Sequence, residues 1–102
     1  MMNLSQDTIS ILKNFSDINT NILVNSGQQL KTISTMKNIQ AVADISESFE
    51  QEFGIYDLPE FLRAVELFDK SNIAFNGGAN LTINDTSTKQ SIKYFFADKS
   101  VI

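Results

Sequence analysis

The densest run of chemistry-bearing side chains in the sequence is carboxylate: Glu47, Glu50, Glu52 and Asp57. Paired carboxylates do acid and base work when burial or like charge drives their pKa values apart. On an alternating strand, however, Glu50 and Glu52 point to one side and Phe49, Gln51 and Phe53 to the other, so the stretch reads as a solvated strand face. Asp17-Ile18-Asn19-Thr20-Asn21 begins like a calcium loop. Ile22 then stands where the sharp turn needs Gly, and Gln28 where a bidentate Glu is needed, which leaves a turn after a helix. Gly77-Gly78 lacks the Lys-Ser/Thr of a phosphate loop and leads into a strand pattern instead of a helix N-terminus. Asn14-Phe15-Ser16, Asn80-Leu81-Thr82 and Asn84-Asp85-Thr86 match the glycosylation pattern, which has no force without a secretory route. Ser and Lys abound, but no spacing singles out a nucleophile pair.

The totals point the same way. There is no His and no Cys among 102 residues. That removes the commonest general base, the Ser-His and Cys-His pairs, thiolate chemistry and almost every zinc site. A formal net charge of −4 argues against gripping nucleic acid by bulk electrostatics. No catalytic residue, metal or cofactor is expected, and the totals favour a binding or scaffold protein. A 42% hydrophobic share is enough to build one core. No apolar run approaches the roughly 18 residues of a spanning helix, and the N-terminus lacks the pattern of a cleaved signal.

Two helices would carry the remaining polar donors. Ser5 can cap the first, with Asp7 and Thr8 in its first turn. At 100° per residue, Thr8, Ile11, Leu12, Phe15 and Ile18 share one face, and Gln6, Ser10, Lys13, Asn14 and Asp17 the other. Asp57 or Leu58 opens the second, with Pro59 in its first turn. Leu58, Phe61, Leu62, Val65 and Phe68 share its apolar face; Glu60, Arg63 and Lys70 lie opposite. Leu67 falls on the polar side, where the helix should end or bend. Lys13, Asn14, Arg63 and Lys70 are thus outward donors, diluted by Asp17 and Glu60.

Strand chemistry fills the rest. Asn21–Asn25 and Gln29–Thr35 are joined at Ser26-Gly27-Gln28, Ile39–Ile45 follows a turn at Met36-Lys37-Asn38, and Ser48–Tyr56 alternates as one strand. After the second helix, Ile73–Asn76 and Asn80–Asn84 form a hairpin at Gly77-Gly78, and Gln90–Ala97 is the last strand. The order is a helix and three strands, twice. Shifted by 51 positions, NILVNSGQQLKTI (21–33) lies over NIAFNGGANLTIN (72–84). Asn21/Asn72, Ile22/Ile73, Asn25/Asn76, Gly27/Gly78 and Leu30/Leu81 are identical. Shared turn chemistry accounts for the Asn and Gly matches, but less well for each hairpin following an amphipathic helix at almost the same distance. The expectation is an α+β fold: two βαβββ units with an internal pseudo-repeat, about 1–47 and 48–102. They would form a continuous sheet with both helices on one face.

LSQDTISILKNFSDIN (4–19) and GIYDLPEFLRAVELFD (54–69) closely resemble the N-terminal domain of the sliding clamps of T-even-type phages. The Leu4-Ser5-x-Asp7-Thr8 opening, the Leu12-Lys13-Asn14-Phe15 core and the Ile55-Tyr56-Asp57-Leu58 lead carry the resemblance, together with the hairpin at Ser26-Gly27-Gln28. It runs over essentially the whole chain, each motif weak singly and specific in order and spacing.

The resemblance implies a polymerase processivity factor without catalysis. Such clamps close around duplex DNA, with sheets outside and helices lining the hole. Their partners are the replicative polymerase and a clamp loader, and the full-length protein would form a trimeric ring in the cytoplasm of an infected bacterial host. Lys13, Asn14, Arg63 and Lys70 would then face the phosphates without reading sequence. Gln6 sits where the family often has a basic residue, so the first helix would contribute less. The chain is about half the family's length, which implies a fragment lacking the second clamp domain; the alternative is a half-clamp completed by six copies. The free edges implied by the family are Ile39, Ala41 and Ala43 on one side and Ile92, Tyr94 and Phe96 on the other. Self-association would run through one of them, aided by exposed Tyr94 and Phe96. The competing reading is a phage β-rich assembly or adaptor module that uses those edges without DNA.

Overall fold

The computed structural model describes residues 3–68, 71–85 and 87–98. Helix α1 (Gln6–Ser16) precedes strands β1 (Ile22–Val24), β2 (Gly27–Ile33) and β3 (Gln40–Phe49). Strand β4 (Phe53–Ile55) leads into α2 (Leu58–Glu66), then β5 (Ser71–Phe75), β6 (Asn80–Asp85) and β7 (Gln90–Phe95). The fold is α+β, and every ladder is antiparallel.

Helix α2 follows its letters closely. Leu58, Phe61, Leu62, Val65 and Phe68 are all buried, and the helix stops at Leu67, its C-cap, whose side chain is exposed. Helix α1 buries Thr8, Ile9, Leu12 and Phe15. Ile9 was absent from the expected face, while Ile11 is only half-buried. The apolar stripe is rotated because α1 packs against both β3 and α2, not against one flat sheet.

Pairing departs from expectation in three ways. First, β1 does not form a hairpin with β2. It pairs with β4, Leu23 opposite Gly54, while β2 pairs with β3. Gly27, at φ +111°, belongs to β2 and not to a tight turn. Second, Ser48–Tyr56 is not one strand: β3 runs on to Phe49, and β4 begins at Phe53 after a break. Phe49 and Phe53 meet edge-on at 5.6 Å, so the chain folds back to bury both rings, which one straight strand would hold apart. Third, among the described residues the strands do not form one continuous sheet. The ladders are β1-β4, β2-β3 and β5-β6-β7, and a lone bridge between Gly54 and Ala97 joins β4 to the chain after β7.

The second half holds its expected hairpin. Gly77, at φ +76°, turns the chain between β5 and β6, a conformation that costs Gly little. The β6-β7 turn is held by Asp85, whose carboxylate accepts from the Thr88 and Ser87 hydroxyls and the Ser87 amide. Those bonds favour the charged form and keep its pKa below the ordinary 3.8.

Residues from both helices and from β1 to β6 make one apolar core. Gln40, Val42, Asp44 and Ser46 on β3 and Ser91, Lys93 and Phe95 on β7 face outward, so these strands bury one face and leave the other to water.

Candidate nucleic-acid interface

The outward face of the helix pair depends on how each helix begins. At α1, the Ser5 hydroxyl oxygen accepts the Thr8 amide at 3.1 Å, a local N-cap. Glu47 of β3 reinforces it from across the fold: the Ser5 amide donates to its Oε2 and the Thr8 hydroxyl to its Oε1, both at 2.6 Å. Desolvation pulls the Glu47 pKa upward. The Thr8 hydroxyl, the Ser5 amide, its own backbone and the Ser46 hydroxyl outweigh it, and the group titrates below its ordinary 4.5. Glu47 therefore belongs to a cap and not to a merely solvated strand face.

Helix α2 caps itself. Asp57 Oδ1 accepts the Glu60 amide at 3.1 Å, and Pro59 sits where no amide is missed. The Leu58 amide donates to the Thr20 carbonyl at 2.8 Å, which fixes the start of α2 against the loop after α1.

The helices pack against each other, and their polar flanks meet in an ion pair. Lys13 Nζ of α1 lies 3.0 Å from Glu66 Oε2 of α2. Lys13, Asn14 and Arg63 are all exposed, so three of the four outward donors stand in water on adjoining helices. Lys70 lies outside the described residues. On or next to the same two helices Asp7, Asp17, Glu60 and Glu66 are exposed as well, against the described cations Lys13 and Arg63. The local potential is accordingly weak, and Glu66 is the group that sequence reasoning passed over. Its signal was positional: it follows Arg63 by three, on the same flank of α2.

The two strand edges are differently built. Among the described residues β3 pairs only with β2 and β7 only with β6 along their lengths. Ile39 is exposed, whereas Ala41 and Ala43 are half-buried against the core. Ile92, Tyr94 and Phe96 are likewise packed inward. Tyr94 meets Phe61 at 5.1 Å, and Phe96 meets Phe53 at 5.0 Å. The expectation of exposed Tyr94 and Phe96 is therefore not met; the exposed ring is Phe95, at 65%. Ile92 sets the parity of β7: it turns to the core, so residues two and four further on follow it. Burial chiefly, with the charges of Glu60 and Asp57, pushes the Tyr94 phenol above its ordinary 10.0.

Among the described residues no cluster of carboxylates has the grouping to hold a metal ion. None of their helices is long and apolar enough to cross a membrane.

Residues 5–102 match the family model described as DNA polymerase processivity factor. The chain is 36% identical over 97 residues to the sliding clamp of Vibrio phage KVP40, covering 95% of this chain and 44% of that protein. It is 37% identical over 102 residues to the sliding clamp of Escherichia phage RB69, and 35% identical over 102 residues to that of Enterobacteria phage T4. Each of these two matches covers 99% of this chain and 44% of the relative. The chain thus spans less than half the length of these relatives.

Proposed function

We propose that this chain, which belongs to the DNA polymerase processivity factor family, supplies one domain of a ring that encloses duplex DNA and tethers the replicative polymerase to it. The observation that carries the reading is the exposure of Lys13, Asn14 and Arg63 on two helices that pack together and bury their other faces in the core. Such a surface offers donors to phosphate oxygens, contacts that position a protein on DNA without carrying sequence information. The acidic neighbours fit this role, because enclosure holds DNA topologically, and strong phosphate contacts would resist sliding.

In this reading Lys13, Asn14, Arg63 and Lys70 face the phosphates, and the chain performs no reaction. The ring is trimeric when both domains of each subunit are present. The free edges at β3 (Ala41 and Ala43, with Ile39 just before it) and at β7 (Ile92 and Tyr94, with Phe96 just after it) adjoin neighbouring domains. A clamp loader opens the ring, and the place of action is the cytoplasm of an infected bacterium. The three phage relatives, all sliding clamps by name, do not favour an adaptor role without DNA.

The test is charge reversal on the helix face. In the full-length protein, Lys13→Glu with Arg63→Glu should shorten polymerase runs on a primed circular template, while a cooperative thermal melt shows that the fold is retained. Undiminished processivity would refute the assignment of this face to DNA.

A further inference from the structure

We infer that Glu66 is a positioning residue for the DNA-facing surface: by pairing with Lys13 it competes with phosphate for that ammonium group and keeps the helix face weakly attractive. The inference rests on the reading that Lys13 faces DNA and adds to it the group that sets how much of Lys13's charge DNA meets.

Three observations place Glu66 in this role. Its Oε2 lies 3.0 Å from Lys13 Nζ, across the junction of α1 and α2. Both side chains keep access to water, at 53% exposure for Lys13 and 43% for Glu66. A surface pair of this kind is held loosely and opens readily, so a phosphate oxygen can take the carboxylate's place. Finally, the pair joins positions 53 residues apart, so only the packing of α1 on α2 brings the carboxylate to Lys13.

The consequence is electrostatic. Lys13 with a carboxylate at contact presents a dipole to distant DNA, and its field fades faster than that of a free charge within the roughly 10 Å over which salt screens. Each phosphate neutralised by a free cation steepens the salt dependence of binding by about 0.9 in log K against log [salt]. Without the Glu66 charge, Lys13 should regain most of one such contact. A purely structural role, fastening α1 to α2, would change stability and leave the salt slope alone.

The test titrates the 102-residue chain with a 20-base-pair duplex at several NaCl concentrations, read by amide chemical shifts in NMR. Wild type is compared with Lys13→Gln, Glu66→Gln and the double variant, each first shown to keep a dispersed spectrum. Glu66→Gln should tighten binding by up to about fivefold at low salt and steepen the slope by up to about 0.9. Lys13→Gln should weaken binding, and the double variant should match Lys13→Gln alone. If Lys13→Gln weakens binding while Glu66→Gln changes neither affinity nor slope, the inference fails and the DNA-facing reading stands. If the tightening persists in the double variant, Glu66 acts as a general negative charge and the pairing role fails. If Lys13→Gln leaves the affinity of a binding wild type unchanged, the reading of the face itself fails, and the inference with it.

Discussion

The two halves of the chain carry matching letters and pair their strands differently. In the second half β5, β6 and β7 form one ladder, with Ile73 opposite Ile83 and Ala74 opposite Thr82. In the first half the counterparts β1 and β2 share no ladder. Burial nevertheless corresponds: Ile22 with Ile73, Leu30 with Leu81 and Thr32 with Ile83 are buried in both halves. The difference therefore lies in the partners offered to similar strands. β1 has only three residues, and β4 occupies one of its edges. β2 takes β3 as its ladder partner, with a register shift between Gly27 and Gln29 whose extra residues lie on β3, and it shares no ladder with β1. A cavity of about 310 Å³ opens between them, bordered by Leu23, Lys31 and Thr32, and the buried Thr32 hydroxyl has no hydrogen-bond partner there.

Amide exchange tests this contrast with the largest expected effect. The Ala97 amide donates to the Gly54 carbonyl, so Gly54 turns its backbone away from β1, and its partner Leu23 points into the gap. The Ser34 amide reaches back to Ile39 across the β2-β3 end, which by alternation turns Lys31 into the same gap. Leu23 and Lys31 amides should therefore exchange more than about a hundredfold faster than Ala74 and Thr82, as unpaired edges do beside a core ladder. Equal protection would mean that β1 and β2 pair as their counterparts do.

The helix starts give a second contrast, of intermediate size. α2 is capped by its own Asp57, whereas α1 also depends on Glu47 from β3. Glu47→Gln should destabilise the chain by roughly 1–2 kcal/mol at pH 7 in urea unfolding, because a charged acceptor of two donors is lost. The folded pKa of Glu47 is depressed, so its contribution is full above the unfolded value near 4.5 and is lost as pH falls through the folded value. The variant's stability should accordingly fall less than wild type's on acidification below 4.5. Parallel acid profiles for the two proteins would count against the cap.

Thr32→Val offers the smallest effect and the finest test. It keeps the shape, removes a buried hydroxyl without a partner and makes the site more like Ile83. Stability should stay level or rise by up to about 1 kcal/mol. A loss of more than about 1 kcal/mol would show that the hydroxyl is satisfied after all.

Much of the fold was legible where neighbours in sequence do the deciding. The α2 face from Leu58 to Phe68, its stop at Leu67 and the Gly77-Gly78 hairpin all rest on local period, capping and turn chemistry. Lys13, Asn14 and Arg63 were legible as exposed donors for the same reason: each lies opposite an apolar stripe. The inward turn of Tyr94 and Phe96 was missed because alternation fixes only which residues share a side, and the core alone says which side is in.

By itself, then, the sequence determined the element order, the apolar face of α2 and the absence of His and Cys chemistry, since these follow from residue types and short-range periodicity. Only the tertiary structure decided that β1 joins β4, that Glu47 caps α1 and that Glu66 holds Lys13. Each of those contacts joins groups at least 29 residues apart in the chain. Residue type and spacing carry no term for such distances; competition among partners in the assembled core supplies it.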